Sequence, residues 1–216
     1  MASSLLWLAA ASSAQLVTVT RSTAEPTPPT QVTAAAAFTT TSSSSTATAT
    51  TIQLAQPTMY NLNSSEPDCG QPPVSYFEVD LQGDASLEQA AVFRGIPAAA
   101  QRCQLKWRQA DAAERGRFEV GRHGRTKARQ LTGFPAAGEP VTYDGLRAFD
   151  ADDGVATFSP DFTQWPEHAG PFDHPAGTIP CSPDIYLRIA VNRAEGDGFV
   201  HLDQDAEDGF YISYVL

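Results

Sequence analysis

No stretch of this 216-residue sequence approaches the roughly twenty consecutive apolar residues that a membrane-crossing helix needs, so no membrane span is expected. Cysteine is scarce, with three residues and no CxxC or CxxH spacing, which excludes the usual structural zinc sites. The four histidines are scattered, and neither HExxH nor HxH occurs. Nucleophile signatures of the GxSxG and SxxK type are missing, as are the glycine loops GxxxxGK[ST] and GxGxxG that cradle phosphates. Basic residues are outnumbered 14 to 25 by acidic ones, for a net charge of -11, and no helical or aromatic recognition module accompanies them. Nucleic acid is therefore excluded as a partner. No cofactor is implied by any of these patterns.

What is present divides the chain unevenly. The first fourteen residues, MASSLLWLAAASSA, carry a short apolar run from Leu5 to Ala11 followed by small residues, the pattern of a secretory signal, although no Lys or Arg precedes the run. Residues 15–58 contain 14 Thr and 5 Ser, with Arg21 and Glu25 as the only charges. Such a segment buries too little apolar surface to repay the entropy of ordering, and small hydroxyls interspersed with Pro are what O-glycosylated stalks look like. We therefore expect a signal peptide over 1–14, a disordered Ser/Thr-rich tether over 15–68 and a folded domain over 69–216. The sequon Asn63-Ser64-Ser65 makes Asn63 a candidate N-glycosylation site.

The period of the folded part is two. In VSYFEVDL, Ser75, Phe77, Val79 and Leu81 share a face; in CQLKWR, Cys103, Leu105 and Trp107 alternate with Gln104, Lys106 and Arg108. IYLRIAV places Ile185, Leu187, Ile189 and Val191 inside and leaves Tyr186 and Arg188 outside. Further strands are expected at 90–94, 117–120, 126–131, 140–143, 145–149, 155–158, 198–203 and 210–215. One short helix is allowed at 84–91, where Ser86 and Gln89 stand at capping-box spacing. Short alternating strands punctuated by Gly, Pro and Asp predict an all-β fold, an antiparallel β-sandwich of jelly-roll type.

Three pairings of the cysteines are open. Cys103 and Cys181 each head a strand-like run, which favours joining them; closing that loop stabilises by about 4 kcal/mol in the chain-entropy model. Cys69 is then left over.

Charge is segregated along the chain. From Arg94 to Arg129 there are ten basic and three acidic residues; from Gln130 onward there are fifteen acidic and three basic. Either the basic stretch forms a polyanion-binding face, or basic strands lie beside acidic ones and offset them, the reading favoured by the overall negative charge.

Candidate ligands for chemistry are few. Asp203, Asp205 and Glu207 alternate like the first ligands of a calcium loop, but Asp208 stands where that loop needs Gly and Tyr214 where it needs Glu. A hairpin is expected instead, with 198–203 going out, 204–209 turning and 210–215 returning. FDADDG, 149–154, is read the same way, and Glu167, His168, Asp173 and His174 are read as polar loop residues. No metal site is expected. Paired carboxylates for a glycosidase cannot be singled out among so many, so no catalytic residue is named. A sugar-stacking platform is more specific: Trp165, between two loop prolines in SPDFTQWPEHAGPF, with Phe162 and Phe172 as neighbours.

The order of these pieces resembles a known family. AAVFRGIP, then CQLKW, TQWPEHAGPF, GTIPCSPDIYLRIAV and a closing DGFYISY are similar to the But-two C-terminal domain of fungal secreted proteins, a family named after a ubiquitin-3-binding protein. The resemblance covers about residues 74–216. It implies an all-β domain stapled by a disulfide, carried here onto Cys103 and Cys181, on extracellular or cell-wall proteins without established enzymatic activity. The expected partners are a cell-wall polysaccharide or another extracellular protein, with localisation outside the cell. A secreted carbohydrate-active hydrolase is the alternative from a different class.

Overall fold

A computed structural model describes residues 51–150 and 157–216. The expected signal peptide, residues 15–50 of the expected tether and most of FDADDG lie outside the described residues. The remainder is all-β. Its strands are β1 (Thr51–Ala55), β2 (Thr58–Asn63), β3 (Tyr76–Gln82), β4 (Ala85–Arg94), β5 (Gln101–Gln109), β6 (Phe118–Gly121), β7 (Thr126–Gln130), β8 (Thr157–Phe158), β9 (Phe172–Thr178), β10 (Asp184–Val191), β11 (Gly198–Asp203) and β12 (Gly209–Val215). Single 3-10 turns occur at Gly145–Phe149, Trp165–Glu167 and Arg193–Glu195. No helix among the described residues is long and apolar enough to cross a membrane.

Two antiparallel sheets result. The smaller has the order β1-β12-β5-β9; the larger runs β6-β11-β3-β4-β10-β7-β8, with β2 also paired to β4. The period-two alternation decides what lies between them. Cys103, Leu105 and Trp107 of β5 and Phe210, Ile212 and Tyr214 of β12 face Phe77, Val79 and Leu81 of β3 and Ile185, Leu187 and Ile189 of β10 in one buried cluster. A sandwich of this kind is held mainly by that interdigitated layer. Cys103 and Cys181 are joined, their Cα atoms 5.3 Å apart, linking β5 to the segment before β10. Cys69 is a free, exposed thiol.

The domain begins earlier than expected. β1 and β2 lie inside the stretch read as tether, and β2 pairs with β4 over Thr58–Asn63 while burying Met59 and Leu62. Those few apolar residues suffice because they enter sheets that already exist; composition averaged over the segment hides this. The short helix allowed at 84–91 is strand β4. Gln89, instead of capping a helix, is fully buried, accepting from the Glu78 backbone N–H (2.9 Å) and donating to Asn61 Oδ1 (2.7 Å). Residues 140–143 form no strand, and 145–149 form a 3-10 turn.

These last segments have a purpose in the packing. Leu131, Val141 and Leu146 fold down onto the outer face of the larger sheet, forming a second buried cluster with Leu62 and Ala90 against which Tyr143 and Tyr186 pack. The outer face of β10 is consequently covered. Arg188, expected in solvent, has its side chain 9% exposed, with Nε 2.7 Å from Glu88 Oε2 and one terminal nitrogen 3.4 Å from Asp150. Its guanidinium also lies 4.4 Å from the centre of the Tyr143 ring. Burial alone would lower its pKa, but the neighbouring Glu88 carboxylate outweighs this and raises it.

The expected β11–β12 hairpin does not form. β11 belongs to the larger sheet and β12 to the smaller, so residues 204–208 cross from one layer to the other. The two charge blocks meet in space: Arg94 pairs with Asp184 (3.6 Å), Arg122 with Asp197 (3.2 Å), Arg125 with Asp161 (3.6 Å) and Arg129 with Asp150 (2.6 Å). With Lys106 beside Asp173, half of the ten basic residues in the stretch pair with the acidic half of the chain, and each exposed pair contributes little on its own.

Candidate binding site

The site is built by the register of three strands. β9, an edge strand of the smaller sheet, pairs Phe172 with Gln109, Asp173 with Arg108 and His174 with Trp107. On its other side β5 meets β12, with Lys106 opposite Tyr211 and Arg108 opposite Gly209. Alternation sends Trp107 and His174 inward and Lys106, Arg108, Asp173 and Tyr211 to the outer face. There the Tyr211 hydroxyl donates to Asp173 Oδ1, Lys106 Nζ stands 3.9 Å from Asp173 Oδ2, and the Arg108 guanidinium lies 5.2 Å from the centre of the Tyr211 ring. Burial, reinforced by Asp173, holds the Tyr211 hydroxyl well above the ordinary tyrosine range.

A cleft of about 300 Å³ opens beside this group, lined by Arg108, Pro171, Phe172, Asp173, Glu207 and Tyr211 among others. Glu207 is delivered by the crossover between the sheets. That crossover is fixed by its own carboxylates. Asp208, 1% exposed, accepts from the backbone N–H of Ala110 (2.8 Å) and of Gly116 (3.3 Å), while Asp205 accepts from Glu207 (2.7 Å) and Asp208 (2.8 Å) and Asp203 from Arg117 (2.7 Å). Burial pushes the Asp208 carboxyl upward against the lowering effect of its two N–H donors. The acidic run, expected to be a solvated hairpin tip, keeps Asp205 and Glu207 exposed, while the buried Asp208 stitches the start of β12 to the end of β5. Gly209 follows at φ 104°, a conformation that suits glycine, and a Cβ there would strike the Gln204 amide. Among the described residues no group of three or more His, Cys, Asp or Glu is arranged to hold a metal ion.

The three aromatic candidates separate. Phe162 is fully buried between Trp107, 4.5 Å away by ring centres, and Phe210, and so presents nothing to a ligand. Trp165 is half-buried: it closes the core edge against Trp107 (6.3 Å) and reaches His174 (4.1 Å) and Phe172 (5.5 Å). Phe172 is 41% exposed, one of two large apolar side chains so placed among the described residues, the other being Leu216. The aromatic pair Trp165–Phe172 thus runs from core to surface and ends at the cleft. His174 sits beneath it, its ring stacked 3.7 Å from Trp107, and desolvation lowers its pKa to about 4 despite the Asp173 charge.

Of the three aromatic candidates Phe172 lines the cleft, together with Arg108, Asp173, Glu207 and Tyr211, whose grouping the sequence does not mark. Their signal is register across three strands distant in sequence, which a single chain does not display. Asn63, the sequon residue, ends β2 half-buried, its side-chain oxygen accepting from the Ser65 N–H (2.9 Å). Comparison of the chain with protein-family models, with curated proteins and with solved structures finds no match.

Proposed function

We propose that this chain is an extracellular, non-enzymatic β-sandwich module that holds a carbohydrate in the cleft beside Phe172, at or near a fungal cell wall. The observation that carries the reading is the exposed Phe172 ring, braced by Trp165, at a cleft rimmed by Arg108, Asp173 and Glu207. An apolar ring face takes the C–H face of a sugar, and charged hydrogen-bonding groups at its margin take the hydroxyls. The Cys103–Cys181 disulfide suits an oxidising compartment, and the Ser/Thr-rich leader suits a glycosylated tether with Asn63 as a further sugar acceptor. The order of motifs, similar to the But-two C-terminal domain, supports the same placement.

Retention of the full chain on insoluble chitin, glucan and mannan tests it. Retention on one of them is expected, with Phe172→Ala lowering it at least about tenfold, the loss of a stacked ring. No retention on any polysaccharide would overturn the reading.

A second reading has one observation in its favour: two carboxylates, Asp173 and Glu207, share the cleft. A hydrolase would release reducing sugar with a bell-shaped pH profile. A flat response across the same polysaccharides is the expected outcome.

A further inference from the structure

We infer that the cleft selects a sugar bearing a carboxylate, a uronic acid residue, and that Arg108 is the group that reads it. This rests on the carbohydrate reading above and narrows it. Nearly every other arginine that the structure describes is committed. Arg94, Arg117, Arg122, Arg125, Arg129, Arg147 and Arg188 form ion pairs, Arg115 donates to the carbonyls of Pro166 and His168, and Arg193 donates to Ser86. Arg108 makes no ion pair among the described residues, and its Nε is buried without a hydrogen-bond partner. The carboxylate opposite it in register, Asp173, is engaged by the Tyr211 hydroxyl and by Lys106.

An unpaired buried donor is costly, so a side chain left this way in a cleft marks a place where a partner is missing. Gln109 repeats the pattern at the same cleft. It is 1% exposed, its amide nitrogen donates to the Trp165 and His168 carbonyls, and its Oε1 has no partner. The missing partner of a guanidinium is best supplied by a carboxylate, whose two oxygens match the planar fork. The Tyr211 ring, 5.2 Å from the guanidinium carbon, helps hold that fork in place. With the carboxylate on Arg108, the sugar ring lies towards Phe172 and Glu207, which line the same cleft. Glu207 and Asp173 also set a limit: one carboxylate finds its cation, whereas a densely charged polyanion meets repulsion from both.

The experiment uses the full chain and three probes: glucuronoxylotriose, which carries one carboxylate, its methyl ester, and uncharged chitotriose. Isothermal titration is expected to show the acid bound, with esterification weakening it about tenfold or more, the worth of one charge-assisted pair. Arg108→Gln should cost the acid as much as esterification does and leave the ester unchanged; Arg108→Lys should recover part of the loss. Phe172→Ala should weaken acid and ester alike. Equal binding of acid and ester, or unchanged acid binding by Arg108→Gln, would overturn the role of Arg108 while leaving a carbohydrate cleft in place. Binding of chitotriose alone, abolished by Phe172→Ala, would do the same. Binding of no saccharide would remove both the inference and the reading beneath it. Far-UV and near-UV circular dichroism of the Arg108 variants, expected to match the parent, keeps loss of fold apart from loss of contact.

Discussion

The outer faces of the two sheets each carry an arginine at an outward strand position, and the two have opposite fates. Arg188 on the larger sheet is roofed by residues 131–149 and clamped by Glu88, Asp150 and the Tyr143 ring. Arg108 on the smaller sheet lies over one ring and lines a cleft without forming an ion pair among the described residues. The same residue type, set by the same alternation, is architecture in one place and an open contact in the other. What differs is whether a later segment of chain returns to cover the face.

Four changes separate the two faces. The largest effect belongs to the covered one: Glu88→Ala leaves the Arg188 charge buried and under-compensated, and should cost about 4 kcal/mol in chemical denaturation, whereas Arg108→Gln should cost under about 0.5 kcal/mol. A loss of similar size at both would erase the distinction. Next comes acid. His174 titrates at about 4 in the folded protein against about 6.5 when unfolded, so its contribution is present above pH 6.5 and is lost as pH falls towards 4. The loss should reach about 3 kcal/mol, and His174→Phe should flatten that part of the stability–pH curve. Asp208→Asn is smaller. One of its two backbone donors then faces an amide NH₂, for about 2 kcal/mol in melting experiments, and Glu207 is released from its place in the cleft. Smallest is Phe172→Ala, which should move stability by under about 0.5 kcal/mol while removing polysaccharide retention. A large destabilisation there would make Phe172 a core residue and shift the cleft to the structural side of the comparison.

Much of the inner layer was legible in the sequence, because alternation over five to nine residues is a local signal. Cys103, Leu105, Trp107, Ile185, Leu187 and Ile189 all lie where the period places them. The covering of the outer face was not, since nothing local to IYLRIAV distinguishes a roofed Arg188 from a solvated one. The β11–β12 link was misread for a related reason. A run of six residues fits a hairpin turn as well as a step between sheets, and the deciding contacts, Asp208 to Ala110 and Gly116, span about ninety positions. At the cleft, the exposed aromatic was readable from its loop, but the charges around it are assembled by register. Phe162 and Phe172 sit in similar local sequence, and their opposite burial follows from where β9 begins.

The crossing of residues 204–208 has a consequence for the order in which the molecule can be made. β12 is the strand between β1 and β5, so until it has been synthesised those two have no partner in common and the smaller sheet exists only as the β5–β9 pair. The larger sheet, by contrast, has all its strands once β11 has emerged. On the ribosome, the core layer that holds Leu105 and Trp107 stays incomplete until Phe210, Ile212 and Tyr214 join it. A chain cut short before Gly209 would lose one wall of its core and offer the unpaired edges of β1 and β5 to other chains, which makes full-length translation itself a safeguard against aggregation.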